Sequence, residues 1–256
     1  MKNKLNNELA VCGFAAVKSL EKKNPERITR LYFTAERAPL FGGLCKKLSQ
    51  RKAPYNQVRD PIELERLSGT VHHQGVVAMI EAPEIRRLNT DIVDEWIAKK
   101  ESALLLDRVG NANNLGAIVR SAAFFGMKNI VIPEDESQSS ITTSSYRVAQ
   151  GGMEFVDIFS VKSIPALLQA IQGKMIRIGT AANAKTPASK LQSLCQGNGA
   201  LIILGNEENG ISQEVRAMCD ETIAIPHCGA RSGIVAPIES LNVAQSASII
   251  LYELQR

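Results

Sequence analysis

The sequence lacks the residue patterns of disulfide-stabilised and zinc-binding proteins. Its five cysteines are an odd number, and none of them forms a C-x-x-C pair. The three histidines offer little more, because His227-Cys228 has no further partners at the spacing of metal ligands. We therefore expect no bound metal, and reduced thiols of the kind found in cytoplasmic proteins.

The chain also lacks a long apolar run and a dinucleotide-binding motif. The apolar residues 9–17 are bracketed by Glu8 and Lys18 and are not followed by a good cleavage site for a signal peptide. No stretch approaches the ~20 apolar residues that a membrane-spanning helix needs. No G-x-G-x-x-G follows a predicted strand with an acidic residue at the right distance, which argues against a Rossmann-type dehydrogenase. The sequence predicts a cytoplasmic protein without a membrane segment.

Positive charge is concentrated near the N-terminus. The formal net charge of the 256 residues is +4, whereas residues 1–60 alone hold 13 Lys+Arg and 5 Asp+Glu. A basic segment joined to a neutral or acidic remainder favours a polyanionic partner such as RNA. The alternative is a solvated basic face without a partner.

Strands and helices alternate along the whole chain. The pattern predicts a small α/β domain over residues 1–82, including a helix at 14–23 and a strand at 28–33, a linker with one short helix over 83–101, and a second α/β domain over 102–256. In the second domain most strands are continuous apolar runs, as expected for a parallel sheet covered on both faces. They include predicted strands at 155–159, 176–181 and 200–204, the last two separated by a polar, loop-like stretch. Ligands of such doubly wound sheets bind at the carboxyl ends of the strands.

Three stretches lie at the ends of predicted strands of the second domain. They read NLGAIVRSA from Asn114, GNEENG from Gly205, and TIAIP followed by SLNV between Thr222 and Val243. In this order the three stretches resemble the three motifs of the SpoU (TrmH) family of RNA ribose methyltransferases. The resemblance covers residues 102–256, and residues 8–82 more loosely resemble the substrate-binding domain that precedes the catalytic domain in many of these enzymes.

The resemblance implies a fold, a reaction and an assembly. The fold is a small N-terminal α/β domain followed by a parallel-sheet α/β domain with a C-terminal trefoil knot. The reaction is methylation of a ribose 2′-hydroxyl in rRNA or tRNA, with S-adenosyl-L-methionine as donor. The assembly is a homodimer packed through the knotted domain. An apolar face on the predicted helix 241–254 supports burial of that helix, though not necessarily between chains.

The resemblance also assigns roles to single residues. The residues expected to bind the donor are Gly205, Ile225 and Leu241. The residues expected at the reacting group are Asn114, Arg120, Glu207, Ser240 and Asn242. Because a guanidinium stays protonated in proteins, we expect Arg120 to hold a phosphate of the target nucleotide rather than to act as a base.

Each assignment has a structural alternative. Asn114 and Ser240 are also predicted N-caps of helices 114–125 and 241–254. Arg120 is alternatively a helix-surface arginine in a salt bridge, and Gly205 a turn glycine. Ile225 and Leu241 are alternatively core residues, and Glu207 a solvated carboxylate. His73 is either a residue that contacts RNA or, more often at a strand start, a structural one.

The third motif departs from the family pattern in one respect. Residues within Ala230–Ile238 lengthen the loop between Gly229 and Ser240, where the donor is expected to bind. Every polar catalytic position is nevertheless retained. The competing hypothesis is therefore an RNA-binding protein that keeps the methyltransferase fold and has lost catalysis.

Overall fold

The computed structural model describes residues 2–3, 7–206, 208–227, 238 and 240–256. By their contacts the residues form two compact units, Met1–Glu84 with Ser140–Phe155 and Ile85–Ser139 with Val156–Arg256. Residues 140–155 thus belong by contact to the first unit, although the sequence pattern groups them with the second domain. The boundaries at 82 and 102 stay a prediction.

The elements follow the alternating order that the sequence predicts, with three additional two-residue strands, Lys2–Asn3, Arg86–Arg87 and Thr186–Pro187, that it does not predict. The strands are β1 (Lys2–Asn3), β2 (Glu8–Cys12), β3 (Ile28–Phe33), β4 (Tyr55–Gln57), β5 (Val76–Glu81), β6 (Arg86–Arg87), β7 (Ala103–Asp107), β8 (Asn129–Pro133), β9 (Asp157–Val161), β10 (Ile176–Thr180), β11 (Thr186–Pro187), β12 (Ala200–Gly205) and β13 (Glu221–Ala224). The helices are α1 (Phe14–Lys23), α2 (Gly42–Gln50), α3 (Ile62–Ser68), α4 (Thr90–Lys99), α5 (Ala112–Phe124), α6 (Thr143–Ala149), α7 (Ile164–Ala170), α8 (Leu191–Cys195), α9 (Gln213–Ala217) and, at the C-terminus, α10 (Val243–Gln255).

The first unit is built on a mixed five-stranded sheet. Its strand order is β1-β2-β5-β3-β4, with antiparallel pairs throughout except for the parallel pair of β3 and β4. The central strands β2 and β5 are almost wholly buried, which explains why both consist mainly of apolar residues. The strand β4 lies at one edge and is exposed along its whole length.

Residues 140–155 are fastened to the rest of the first unit by polar contacts. The guanidinium of Arg27 donates to the Tyr146 hydroxyl at 2.9 Å and to Oε2 of Glu154 at 3.2 Å. Asn24 donates to the same carboxylate oxygen at 2.5 Å. A β-carbon on Gly151 would overlap Ser19 of α1. Residues 140–155 can therefore approach α1 this closely only because residue 151 is a glycine.

The second unit contains an eight-stranded sheet in which every pair is parallel. The order is β11-β13-β10-β12-β7-β8-β9-β6. The central strands β7 and β12 are buried at every residue, which is why they read as unbroken apolar runs. The predicted parallel sheet is confirmed, and the three motif stretches all lie at carboxyl ends of its strands.

Several boundaries differ from the sequence prediction. The strand expected at 155–159 is β9, Asp157–Val161, because Phe155 still closes a 3₁₀ turn by donating its N–H to Gly152 O at 3.0 Å. Residues 182–199, expected to be a loop, contain the strand β11 and the helix α8. Elements of two and five residues are too short to produce a periodic pattern.

Both predicted N-caps are wrong. The helix α5 begins at Ala112 and is capped by Asn111, whose side chain accepts the N–H of Asn113 at 2.8 Å. The helix α10 is capped by Asn242, which accepts the N–H of Ala244 at 2.9 Å. In both cases an asparagine directly before the helix is the cap, which leaves Asn114 inside the first turn of α5 and Ser240 outside α10.

Candidate active site

A cleft of about 780 Å³ opens in the second unit where β10, β12 and β13 end. All three residues predicted to bind the donor, Gly205, Ile225 and Leu241, line this cleft, and so does Ser240. Ile225 is half-buried and Leu241 is 40% exposed, so neither is a core residue. The structure therefore brings the second and third motifs together around one cavity with a largely apolar wall.

Gly205 allows the loop of the second motif to close. A β-carbon at this position would overlap the backbone at Gly210 C and Ile211 N. From the sequence we expect this glycine either at the donor or in a turn. The space is in fact taken by the chain itself, which returns across the end of β12, so a side chain at residue 205 is excluded on steric grounds.

Asn206 holds the same loop together, and sequence reasoning missed it. Its side-chain oxygen accepts the N–H groups of Glu208 at 2.9 Å and Asn209 at 3.2 Å. Its side-chain nitrogen donates to the carbonyl of Arg108 at 2.9 Å. An asparagine directly after a buried strand was a usable signal, because this residue type often bonds the backbone of its own turn. Asn206 thus ties the second motif to the loop that follows β7.

That neighbouring loop is organised by the buried carboxylate of Asp107. The carboxylate accepts from Nε of Arg108 at 2.8 Å and from the N–H of Ser212 at 3.1 Å. The hydrogen bond and ion pair with Asp107 raise the pKa of Arg108 above its usual value. Arg108 adopts a left-handed backbone with φ of 60°, a conformation that non-glycine residues keep only where the surroundings hold it.

Gln138 secures the loop from its other side. Its amide accepts the N–H of Val109 at 2.9 Å and donates to the carbonyl of Val109 at 3.0 Å. The N–H of Ser139 donates to the same carbonyl at 2.9 Å. Because the loop leads directly into α5, these bonds fix where the first turn of α5 begins.

The first and third motifs meet through two asparagines. Nδ2 of Asn242 donates to Oδ1 of Asn114 at 3.1 Å, so the N-terminal ends of α10 and α5 touch. Further along the same helix pair, the hydroxyls of Ser121 and Ser248 lie 2.7 Å apart. The predicted residues Asn114 and Asn242 are therefore direct neighbours, although 128 positions separate them in the sequence.

Arg120 lies in the third turn of α5, and its side chain is exposed. It forms no ion pair or side-chain hydrogen bond with any residue that the structure describes, so the salt-bridge alternative has no support there. Arg120 is also not among the residues that line the cleft. Glu207 and most of the lengthened loop, residues 230–237, lie outside the described residues.

His73, Cys12 and Cys219 have structural surroundings. His73 is buried, and its Nδ1 accepts the N–H of Gly75 at 3.1 Å, as the structural alternative predicts. Burial raises the pKa of Cys12 and of Cys219 to about 11, so both thiols stay protonated near neutral pH and are poor nucleophiles. Within the described ranges, no group of three or more His, Cys, Asp and Glu side chains is placed to bind a metal ion.

None of the helices that the structure describes is both long enough and apolar enough to cross a membrane.

Two family profiles match the chain. The profile of the SpoU rRNA methylase family covers residues 101–252, and that of the RNA 2′-O ribose methyltransferase substrate-binding domain covers residues 10–86. The first match alone spans more than half of the chain.

Curated relatives and a solved structure agree with these profiles. The chain is 31% identical to the 23S rRNA (guanosine-2′-O-)-methyltransferase RlmB of Acinetobacter baylyi, over 94% of each protein. It is 32% identical to RlmB of Shewanella oneidensis, over 96% of each. The crystal structure of the SpoU methyltransferase AviRb from Streptomyces viridochromogenes, in complex with the cofactor AdoMet, has a TM-score of 0.75, with 21% identity over 97% of this chain and 90% of AviRb. The chain therefore belongs to the SpoU rRNA methylase family and is an RNA 2′-O-ribose methyltransferase with an N-terminal substrate-binding domain.

Proposed function

We propose that this enzyme transfers a methyl group from S-adenosyl-L-methionine to the 2′-hydroxyl of a guanosine in 23S rRNA. The named activity of the two RlmB relatives supports the nucleotide and the RNA, and the AviRb complex supports the donor. The observation that carries the proposal is the convergence of the second and third motifs on one cleft, with Gly205, Ile225 and Leu241 in its wall.

The cleft suits the donor by size and by chemistry. A volume of about 780 Å³ lies within the range of pockets that bury small ligands. The partly exposed side chains of Ile225 and Leu241 offer an apolar slot for the adenine, and the backbone around Gly205 offers hydrogen bonds. When bound, S-adenosyl-L-methionine supplies an electrophilic methyl group on a sulfonium.

The chain's own polar residues position the nucleotide that accepts the methyl group. We assign Asn114, Asn242 and Ser240 to the ribose, because the first two touch each other and Ser240 lines the cleft. We assign Arg120 to a phosphate of the target nucleotide, since its guanidinium is exposed and makes no bond within the described chain. We assign Glu207, by its place in the second motif, to orienting Arg120 or a bound hydroxyl.

The proposed function is tested by donor binding and by methyl transfer, measured separately. Calorimetric titration with S-adenosyl-L-methionine is expected to give one site per chain. Incubation of the protein with methyl-labelled donor and 23S rRNA lacking ribose methylation is expected to label a single guanosine. Donor binding without labelling of any rRNA or tRNA contradicts the proposed function. RNA binding without donor binding supports the inactive RNA-binding alternative.

We also propose the trefoil knot, the homodimer, the domain boundaries at 82 and 102, and a cytoplasmic location. The contact of Asn242 with Asn114 and the packing of α10 against α5, α8 and β12 support a C-terminal segment held deep within the second unit.

Support for the dimer comes from an apolar surface on α5 and α10. Phe124 is 82% and Tyr252 53% exposed, and both rings pack on Phe125, with centroids 5.0 and 6.4 Å away.

A charge placed on this aromatic surface is expected to separate the protomers. Phe124→Glu exposes no core residue and places a carboxylate on the aromatic surface that the proposed interface would bury. The variant should therefore be folded and monomeric at micromolar concentration. Val71→Glu is the matched control, since Val71 is 63% exposed in the first unit. Sedimentation equilibrium measures the mass. A dimeric Phe124→Glu variant, or a monomeric unaltered protein, contradicts the proposed interface.

A further inference from the structure

The proposed function leaves one charged surface of the first unit unexplained. Residues 42–59, which form α2, the turn after it and the edge strand β4, contain five Lys and Arg residues and no Asp or Glu. Its net charge of +5 is the larger part of the net charge of +8 that residues 1–60 carry with 13 Lys+Arg and 5 Asp+Glu. We call six of its exposed side chains the α2–β4 surface, namely Lys46, Lys47, Lys52, Tyr55, Gln57 and Arg59.

The cations of the α2–β4 surface are not used within the chain. Lys46, Lys47, Lys52 and Arg59 form no ion pair or side-chain hydrogen bond with the residues that the structure describes. The fifth cation, Arg51, behaves differently. Its guanidinium donates to the carbonyls of Pro25, Glu26 and Ile28, so it is a structural residue and is not part of the surface.

The edge strand β4 adds side chains that can contact bases. Tyr55 is 41% exposed, and its ring packs against no other ring or cation in the described chain. Asn56 and Gln57 follow it and are also exposed. An unpartnered aromatic ring stacks on any base, and amide side chains can bond base edges. Because side chains alternate along a strand, Tyr55 and Gln57 share one face, which offers both kinds of base contact, with Lys52 before it and Arg59 after it in the sequence.

The backbone that carries these side chains is well held. Besides the bonds of Arg51, the N–H of Leu31 donates to Pro54 O at 3.2 Å, and the N–H of Val58 donates to Phe33 O at 2.9 Å. β4 pairs with β3 in parallel and has no partner among the described strands on its other side. Because the strand is fixed before binding, a ligand that stacks on Tyr55 does not bear the cost of ordering it.

We propose that the α2–β4 surface binds an unpaired segment of the substrate RNA, with Tyr55 stacked on a base and Lys46, Lys47, Lys52 and Arg59 on phosphates. The inference rests on the proposed function for the identity of the polyanion as RNA. Unpaired RNA fits better than a duplex, because the bases of a duplex are stacked on one another and closed to an aromatic side chain. A protein strand added to the open edge of β4 needs neither the ring nor the cations.

The stacking contact is tested with a single-stranded probe. The probe is a fluorescein-labelled RNA of mixed sequence and about 12 nucleotides, within the ~4–16 nucleotides that such surfaces cover. Tyr55→Ala is expected to weaken its binding about tenfold, as loss of one stacked base does. Tyr55→Phe keeps the ring and should bind within about twofold of the unaltered protein. The same strand annealed to its complement should be bound equally well by both variants.

The phosphate contacts are tested through the salt dependence of binding. Removing Lys46 and Lys47 as a double glutamine variant should lower the slope of log K against log salt by about 1.4, at ~0.7 for each phosphate contact to a single strand. The matched control removes Lys162 and Lys174, two exposed lysines of the second unit, and should leave the slope unchanged.

The outcomes separate the surface from the proposed function. If Tyr55→Ala binds the single strand as tightly as Tyr55→Phe, or if both lysine pairs lower the slope equally, the α2–β4 surface is not an RNA site. Methyl transfer to 23S rRNA by the unaltered protein is measured separately. The result of that measurement does not depend on how the Tyr55 variants bind RNA. Failure of one proposal is therefore not mistaken for failure of the other.

Discussion

Replacing Arg120 by alanine is expected to lower the rate of methyl transfer by about a hundredfold or more, the usual cost of losing a positioned electrostatic contact. Stability should be almost unchanged, because the exposed side chain of Arg120 has no partner among the described residues. Donor binding should also survive, since Arg120 does not line the cleft. Single-turnover labelling of rRNA with saturating donor measures the rate.

Two further measurements distinguish what Arg120 does. Arg120→Lys keeps the charge but loses the planar fork that bonds a phosphate through two N–H groups, so it should restore little activity. If Arg120 holds a phosphate, the pH–rate profiles of both variants should keep every titration step of the unaltered enzyme. Loss of a step in the alanine variant indicates a base instead.

The control for Arg120 is Arg66, which is exposed on α3 and forms no ion pair within the described chain. Arg66→Ala removes the same charge and should leave the rate at saturating RNA unchanged. Full activity in the Arg120→Ala variant contradicts the phosphate role and the base role alike.

Replacing Gly205 by alanine is expected to give the largest loss of stability and to abolish donor binding. The added β-carbon would overlap two backbone atoms, Gly210 C and Ile211 N, which cannot swing aside as a side chain does. Overpacking of this kind costs on the order of 3 kcal/mol of unfolding free energy. The loop of the second motif must then move away from the end of β12 and reshape the cleft. Urea unfolding and calorimetric titration with S-adenosyl-L-methionine measure the two effects.

Gly43→Ala is the matched control for Gly205→Ala. A β-carbon on Gly43 has nothing within 4 Å, and the residue lies at the start of α2 with an ordinary backbone conformation. Alanine favours a helix more than glycine does, so this variant should be unchanged or more stable by up to about 1 kcal/mol. If Gly205→Ala is as stable as Gly43→Ala and still binds the donor, the close packing at the end of β12 does not control the cleft.

The layout of the elements could be predicted because their apolar patterns are long. Helix α1 and strand β3 have the bounds that the sequence predicts, and β7 and β12 stand out as buried runs. The strands β6 and β11 were missed, since two residues carry no period. The predicted starts of α5 and α10 were misplaced because Asn111 and Asn242 compete as caps with the predicted Asn114 and Ser240. Asparagine and serine are all good caps, so residue type alone does not show which of two neighbouring candidates caps the helix.

The candidate site likewise has residues that the sequence predicts and residues that it does not. Gly205, Ile225, Leu241, Asn114 and Asn242 were found from three short patterns, and the structure brings the first three to one cleft and the last two into contact. The side chains that hold the loops in place were not found. Asp107, Asn206 and Gln138 bond backbone groups up to 105 positions away, and such pairings follow from the fold and not from local spacing.

The attachment of residues 140–155 to the first unit bears on how this gene can recombine. In a chimera that takes residues 1–84 from a distant relative, Tyr146 and Glu154 would face foreign residues at positions 24 and 27, which here donate to both side chains. Glu154 would then keep a carboxylate that is 1% exposed without its cation, a costly state for a charge. We therefore expect the substrate-binding domain of this lineage to be inherited together with residues 140–155, and exchanges confined to the N-terminal part to be selected against.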